Sequence, residues 1–179
     1  TGGNHSDLTD DYAAVRGEME SVAKALGKDV LREISFADFK QAVPSLLGRV
    51  SDRALLRAFH FYRENIRVEK AVSALESSNF DEFKKIINES GRSSYMYNQN
   101  VFTPKDPAEQ KISLALCISE EVLGVNGAYR VHGGGFAGTI QAFVPNELLQ
   151  EYKTAMEDVF GKGSCHVLII RPVGGTRVL

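Results

Sequence analysis

The sequence predicts an α+β fold in which a mainly antiparallel four-stranded sheet packs against helices. Three observations lead to this prediction. Stretches with helical periodicity fill roughly the first two thirds of the chain, and short runs with the composition of strands appear only after residue 127. Two of the links between those runs are too short for the crossover that joins parallel strands, so neighbouring strands must run antiparallel.

The composition excludes several classes of protein. The chain has 179 residues, 43% of them hydrophobic, and a formal net charge of -2, so it can bury a core without a metal or a disulfide. No basic block is longer than two residues, which argues against binding to nucleic acid. No apolar run approaches the roughly 18 residues of a membrane span. We therefore expect neither nucleic acid nor a membrane as a partner.

The first helices are bounded by start and stop signals. Asp10 can cap a helix over residues 12–26. Residues 31–35 form a short extended connection. A short helix over residues 36–43 is predicted to stop at Pro44, because proline lacks the backbone donor that continues a helix.

The longest helix is predicted from residue 51 or 52 to about residue 75. Leu55, Phe59 and Tyr62 recur at i, i+4 and i+7, the spacing of one buried helix face. This helix should therefore pack its apolar stripe against the core.

Two more helices complete the helical part of the chain. The first is capped by Asn79 and ends near Glu89, and residues 90–104 show no clean period and are predicted to form a loop or a bent segment. The second spans residues 106–123 and has Pro107 in its first turn, where proline is favoured. Its apolar side chains lie on more than one side, so we expect it to be deeply buried.

Four short strands are predicted after residue 127. They cover residues 128–131, 139–144, 164–171 and 176–179. An amphipathic helix over residues 146–160 separates the second strand from the third, and Gly174-Gly175 forms a turn between the last two.

The cysteines and histidines predict neither a disulfide nor a metal site. Cys117 and Cys165 lie in apolar surroundings without a CxxC spacing, so we expect free, buried thiols of a cytoplasmic protein. His5, His60 and His166 are too scattered to form a metal-binding set.

The most unusual stretch is YRVHGGGFAGTIQAFVP, residues 129–145, with four glycines in six residues between two strands. It matches G-x-G-x-x-G, but a dinucleotide site needs a helix directly after the glycines, and a strand follows here. A protein-kinase loop would need a lysine on that strand, and there is none. No Walker sequence occurs in the chain.

Two interpretations of this stretch remain open. It is either a tight connection that needs positive φ angles, or a backbone loop that lies close to an anionic phosphate, where amide groups point inward and side chains would obstruct. Glycine costs about 0.5–1 kcal/mol in a regular element, so either role must offset that cost.

Residues 127–138, GAYRVHGGGFAG, resemble the third conserved motif of the galactokinase branch of the GHMP sugar kinases, which ends in a run close to GGGFGG. Other segments are similar to that family in the same order and at the same spacing: residues 1–12 with Arg16 and Glu20, residues 31–34, residues 57–60 with Glu64, Asn65, Arg67 and Val68, and residues 89–93. Ala137, His132 and Gly91 depart from the family pattern, which suggests a divergent branch.

The resemblance implies that residues 1–179 form the C-terminal domain of a GHMP kinase, with a ferredoxin-like arrangement. Residues 1–90 would be a helical entry segment, and residues 91–179 would carry the sheet. The family's serine-rich nucleotide loop, catalytic aspartate and catalytic arginine belong to its N-terminal half and do not occur here. We therefore expect this chain to correspond to the C-terminal half only, which would also account for the missing initiator methionine.

For function, the resemblance implies an ATP-dependent sugar kinase that phosphorylates galactose at its anomeric hydroxyl. Tyr12 would contact the sugar, Gly133, Gly134 and Gly135 would lie near the terminal phosphates of ATP, and Arg130 would direct a positive charge at them. His132 is either a phosphate contact or a structural histidine.

The missing N-terminal half would supply every catalytic and metal-binding residue and most contacts to ATP and Mg²⁺. That half and galactose, or a similar sugar, are the expected partners. The 179 residues alone should fold but should not phosphorylate sugar. Two alternatives are a GHMP kinase of another small molecule and a non-catalytic sugar sensor.

Overall fold

In a computed structural model, residues 1–2 and 8–170 are described, and they form six helices and a two-stranded sheet. The helices are α1 Thr9–Ala25, α2 Phe36–Leu46, α3 Asp52–Glu76, α4 Phe80–Ser93, α5 Lys111–Leu123 and α6 Leu149–Phe160. The strands are β1 Ala128–Val131 and β2 Ile140–Phe143. The α+β class and the order of helices before strands agree with the sequence prediction.

The first three helices pack around an aromatic core. Phe39 and Leu46 are fully buried there. The ring of Tyr62 on α3 stacks on Phe36 and Phe39 of α2, with centroid distances of 5.1 and 5.2 Å. The Tyr62 hydroxyl donates to the carbonyl of Leu31 at 2.9 Å, which fastens a 3-10 turn to α3.

The two strands and the last two helices form a second layer. β1 and β2 pair antiparallel, with Ala128 opposite Phe143 and Val131 opposite Ile140. Their apolar side packs with α5 and α6 around Leu123, which is fully buried.

Helix α4 packs closely against β1 at Gly91. A side-chain β-carbon placed at Gly91 would lie 2.9 Å from the carbonyl oxygen of Tyr129 and 3.1 Å from Cβ of Arg130. These distances are shorter than normal contacts, so only glycine allows α4 to approach β1 this closely.

Several predicted helix boundaries are wrong. Helix α2 passes Pro44 and ends at Leu46, because proline in the last turn removes only one backbone donor. Helix α4 continues to Ser93 and then into a π-helical turn, Ser94–Asn98, in the segment predicted as a loop. The buried side chains of this segment are small and polar, so hydrophobic periodicity could not reveal the helix.

Helix α5 also differs from its prediction. It begins at Lys111 instead of residue 106, and Ile112 and Ala115 are buried while Leu114 is 48% exposed. Cys117, which we expected to be buried, is exposed on this helix. One side of α5 therefore faces away from the core despite its apolar composition.

The predicted four-stranded sheet is the largest error. The described residues contain a sheet of two strands, in the order β1-β2. Residues 164–170, predicted as most of the third strand, form no strand there, and Leu168 and Ile169 are 87% and 91% exposed. Strand-forming composition gives a strand only where a neighbouring edge accepts its backbone hydrogen bonds. Residue 171 and the predicted turn and fourth strand lie outside the described residues.

Among residues 1–2 and 8–170, none of the helices combines the length and the hydropathy that crossing a membrane requires.

Candidate functional site

The loop between the two strands, residues 132–139, is called the glycine loop below. Its ends are closed by a hydrogen bond from the His132 amide to the Thr139 carbonyl, 3.0 Å. Gly133 and Gly135 have φ angles of 63° and 82°, a region that glycine enters without steric cost. Phe136, with a φ of 58°, also lies in this left-handed region, where a non-glycine residue is strained. The loop is therefore held in a shape that the backbone would not choose by itself.

Two residues from distant parts of the chain hold the glycine loop. The hydroxyl of Tyr12, in the first turn of α1, donates to the Gly135 carbonyl at 2.8 Å. Nδ2 of Asn100, just after the π-helical turn, donates to the Gly134 carbonyl at 3.1 Å. The amide of Phe136 donates in turn to the Asn100 carbonyl at 2.7 Å.

Close packing against these two residues explains why the loop has no side chains at its centre. A β-carbon at Gly134 would lie 2.7 Å from Cε1 of Tyr12. A β-carbon at Gly135 would lie 1.9 Å from the Asn100 carbonyl oxygen, which is impossible without moving the backbone. Both open interpretations needed glycines here, and these contacts show that positive φ angles and close approach by the protein itself already require them.

The hydrogen bonds of the loop are distributed unevenly. The carbonyls of Gly134 and Gly135 both have donors, as described above. The amide N–H groups of Gly133, Gly134 and Gly135 have no acceptor within the part of the chain that the structure describes. Gly133 and Gly134 are exposed. Adjacent unpaired amides form the concave donor arrangement that binds anions in proteins.

A cavity of about 550 Å³ lies beside the glycine loop. It is lined by the loop, by α1, by the 3-10 turn, by α3 and by the segment after α4: Tyr12, Val15, Arg16, Met19, Glu20, Val30, Leu31, Arg32, Phe61, Asn98, Asn100, Gly133 and Gly134. This volume is within the range of small-molecule sites, which is about 300–1,000 Å³.

The Tyr12 ring meets Phe136 edge-on, with ring centroids 5.4 Å apart, and burial raises the pKa of the Tyr12 hydroxyl. The hydroxyl therefore stays protonated and acts as a donor.

A buried arginine supports the segment that carries Asn100. Arg57 is 1% exposed, and its Nε donates to the Asn98 carbonyl at 2.9 Å. Its Nη1 pairs with Glu18 of α1 at 2.9 Å, and Arg53 pairs with the same carboxylate at 2.6 Å. These contacts tie α1, α3 and the Asn98–Asn100 segment together beneath the cavity.

Arg130 lies in a separate group of polar side chains, called the Glu64 cluster: Glu64, Arg67, Ser90 and Arg130. Nη1 of Arg130 lies 3.2 Å from Oε1 of Glu64 and donates to Oγ of Ser90 at 2.5 Å. Glu64 also accepts hydrogen bonds from Ser90 and from Arg67, the latter at 2.7 Å. Nε of Arg130 donates to the carbonyl of Val131, the residue before the glycine loop, at 3.1 Å.

The environment fixes the charges of this cluster. Burial raises the pKa of Glu64, but the hydrogen bonds from Ser90 and Arg67 and the charge of Arg67 outweigh it, so the pKa lies below its usual value. His60, one turn before Glu64, has its pKa lowered to about 4 by burial, and its Nδ1 lies 2.9 Å from Oγ of Ser93. At neutral pH the carboxylate is therefore charged and the imidazole is neutral.

The structure thus brings four of the predicted site residues together and separates the fifth. Tyr12, Gly133 and Gly134 line one cavity, and Gly135 is bonded to Tyr12 at its edge. The side chain of Arg130 is paired within the Glu64 cluster, and His132 is exposed at the start of the glycine loop.

Asn98 and Asn100, which the sequence does not mark as site residues, line the same cavity. Both lie in the segment without periodicity, and nothing in YNQN marks them as cavity residues or indicates that Asn100 bonds to Gly134, 34 positions away. In the described residues, no group of three His, Cys, Asp or Glu side chains has the geometry of a metal site.

Comparison with known proteins identifies relatives of this chain, although no family model matches it. A galactokinase from Mannheimia succiniciproducens is 30% identical over 158 residues, which are 88% of this chain and 39% of that protein. A galactokinase from Pasteurella multocida is 29% identical over the same shares of both chains. The chain therefore spans about two fifths of the length of these relatives, 39% of each.

The fold agrees with the sequence comparison. The crystal structure of Lactococcus lactis galactokinase complexed with galactose matches 88% of this chain and 39% of its own, with a TM-score of 0.63 and 23% identity. The resemblance inferred from the motifs is thereby confirmed. The chain is therefore a homologue of galactokinases that matches about two fifths of their length, which fits the C-terminal half expected from the motifs.

Proposed function

We propose that the chain is the C-terminal part of a kinase that transfers the γ-phosphoryl group of ATP to the anomeric hydroxyl of galactose. The observation that carries this proposal is the glycine loop beside the cavity. Its carbonyls at Gly134 and Gly135 are bonded to the protein, and its amides at Gly133, Gly134 and Gly135 have no acceptor among the described residues.

Phosphoryl transfer depends on positioning and on neutralising negative charge, with little covalent chemistry from the protein. A loop of free amides provides donors for phosphate oxygens without a side chain that would obstruct them. The loop is therefore proposed to contact the terminal phosphates of ATP. Arg130 adds positive charge next to the loop, although its guanidinium is paired with Glu64.

The sugar is proposed to bind against Tyr12. The Tyr12 ring forms part of the cavity wall next to Gly134, and its hydroxyl is engaged with Gly135. A sugar that rests on this ring would therefore lie next to the proposed phosphate site, as a phosphoryl acceptor must. The galactokinase structure that shares this fold contains galactose, which supports galactose as the sugar.

Among the described residues, no three His, Cys, Asp or Glu side chains are grouped as a metal site would require. When bound, Mg²⁺ would neutralise phosphate charge. Its ligands and the catalytic residues are proposed to belong to the N-terminal part of the protein, which would close over the cavity. The chain alone is then expected to bind its ligands weakly and to be inactive.

The test compares two proteins, the full-length protein that carries this chain and the isolated 179 residues. In a coupled assay with ATP, Mg²⁺ and a panel of sugars, the full-length protein should phosphorylate galactose and the isolated chain should not. Calorimetry should show that the full-length protein binds an ATP analogue with Mg²⁺.

Each other outcome has a distinct meaning. Binding of galactose without turnover would indicate a sugar sensor, and turnover of a different small alcohol would indicate another GHMP kinase. Equal turnover by both proteins, or no nucleotide binding by the full-length protein, would overturn the proposal.

A further inference from the structure

We infer, on the basis of the function proposed above, that Asn100 is a positioning residue for phosphate binding. Its side chain would not touch the nucleotide. It would hold the glycine loop in the one shape that leaves Gly133 and Gly134 exposed at the cavity, where their amides can reach the ligand.

Asn100 grips the loop on both sides of Gly135. Its Nδ2 donates to the Gly134 carbonyl at 3.1 Å, and its own carbonyl accepts from the Phe136 amide at 2.7 Å. The two segments are in close contact, because a β-carbon at Gly135 would lie 1.9 Å from the Asn100 carbonyl oxygen.

These two bonds determine where the Gly135 amide points. In a planar trans peptide the C=O of one residue and the N–H of the next point in opposite directions. Because the Gly134 carbonyl points at Asn100, the Gly135 N–H points away from Asn100. The next peptide has the reverse orientation, with the Gly135 carbonyl toward Tyr12 and the Phe136 N–H toward Asn100. The two bonded side chains thus hold successive peptides in alternating orientation.

Asn100 is itself fixed on the core. It is 3% exposed and follows Gln99, whose φ of 54° turns the chain out of the π-helical turn. Two residues earlier, the Asn98 carbonyl accepts from buried Arg57, which is paired with Glu18. The loop is therefore connected to α1 and α3 through the buried residues Asn98, Asn100 and Arg57 and through the half-buried Glu18.

One further feature separates Asn100 from an ordinary core residue. Its Oδ1 is buried and has no hydrogen-bond partner among the described residues. A buried acceptor without a donor lowers the stability of the folded state, so the side-chain amide of Asn100 is destabilising at this position. Among residues 1–2 and 8–170, its side chain makes one hydrogen bond, to the Gly134 carbonyl, which assigns the side chain to the loop.

The test uses Asn100→Asp in the full-length protein, because aspartate keeps the size of the side chain and loses the donor. The matched control is Asn88→Asp. Asn88 also donates through Nδ2 to a glycine carbonyl, that of Gly127 at 3.2 Å, but at the far end of β1. Both variants lose the same kind of bond, and only one of those bonds reaches the glycine loop.

Loss of one such bond should weaken ATP binding about tenfold in Asn100→Asp. The KM for ATP should rise by a similar factor, and the KM for galactose should change less than twofold. Asn88→Asp should lower the melting temperature comparably and leave the KM for ATP within twofold of wild type. A general structural defect would move both KM values in both variants.

Hydrogen exchange at the Phe136 amide separates this inference from the proposed function. Exchange should be faster in Asn100→Asp and unchanged in Asn88→Asp. If the wild-type protein binds no ATP, the proposed function fails, and faster exchange confined to Asn100→Asp would still support loop positioning. Equal ATP affinity in Asn100→Asp and wild type, equal losses in both variants, or unchanged exchange would each overturn the inference.

Discussion

The glycine loop and the Glu64 cluster adjoin each other on β1, and they treat their polar groups in opposite ways. In the cluster, Glu64 accepts from three neighbours and every charge has a partner. In the loop, carbonyls are bonded while three successive amides have no acceptor among the described residues. A closed network stabilises the fold, whereas the amides of the exposed residues Gly133 and Gly134 are available to a ligand. Polar groups that lie close together in one fold can therefore serve different roles, stability in one place and ligand binding in the other.

The largest expected loss of stability comes from a substitution within the glycine loop. Gly135→Ala places a methyl group against the Asn100 carbonyl at a residue whose φ is 82°. We expect a loss of at least about 3 kcal/mol in the free energy of unfolding, since strain and overlap add. Chemical denaturation measures this loss, and calorimetry should show that nucleotide binding is lost as well.

Gly133→Ala is the matched control for that change. Gly133 has a φ of 63°, but a β-carbon there meets no atom within 4 Å. Only the left-handed conformation is then penalised, which costs about 1–2 kcal/mol. If the two alanine variants were equally stable, close packing by Asn100 would not explain the glycine at position 135.

A second prediction concerns the cluster and its neighbour His60. Burial lowers the pKa of His60 to about 4, and the charges around it are Glu64, Arg67 and Arg130. An ordinary histidine titrates near 6.5, so the unfolded chain takes up this proton first as the pH falls. Stability is therefore full above about pH 6.5 and decreases toward pH 4, by roughly 2–3 kcal/mol.

The lowered pKa of Glu64 acts in the same direction, because its stabilising charge is lost on acidification. Denaturation midpoints between pH 7 and pH 4 measure the sum, and His60→Gln should flatten the part of the curve above pH 5. An unchanged curve in that variant would mean that His60 is not the titrating group.

The smallest expected effect comes from removing the hydroxyl of Tyr12. Tyr12→Phe deletes the donor to the Gly135 carbonyl and keeps the ring that faces Phe136. We expect a loss of about 0.5–1.5 kcal/mol in stability, with weaker nucleotide binding as well as weaker sugar binding. Separate titrations of the full-length protein with the two ligands measure this, and an effect on sugar alone would show that Tyr12 does not support the loop.

Local signals predicted most of the helices correctly. The long helix α3 has a strong apolar period, and Ser51 caps it by accepting from the Ala54 amide, as its place in the sequence suggests. The end of helix α4 beyond Glu89 and the π-helical turn after it could not be predicted, because their buried residues include Ser90, Ser93 and Ser94, which carry no hydrophobic signal. The absent third strand shows the reverse error, because apolar composition alone cannot provide a partner for pairing.

The residues of the candidate site also divide into those that the sequence predicts and those that it does not. Four glycines in six residues mark the loop, and the family resemblance marks Tyr12, so the amino-acid sequence alone is enough to find both. Asn100 could not be found, because its contact with Gly134 joins positions 34 residues apart through tertiary packing. The pairing of Arg130 with Glu64, 66 residues apart, is a second contact of this kind.

The sequence by itself determined the helical periods, the β1–β2 hairpin and the resemblance to galactokinases, because these depend on neighbours along the chain and on ordered motifs. Only the tertiary structure decided which side chains hold the glycine loop and which amides remain free. A hydrogen bond depends on distance and direction between groups, and for groups far apart in the chain both exist only once the helices have packed.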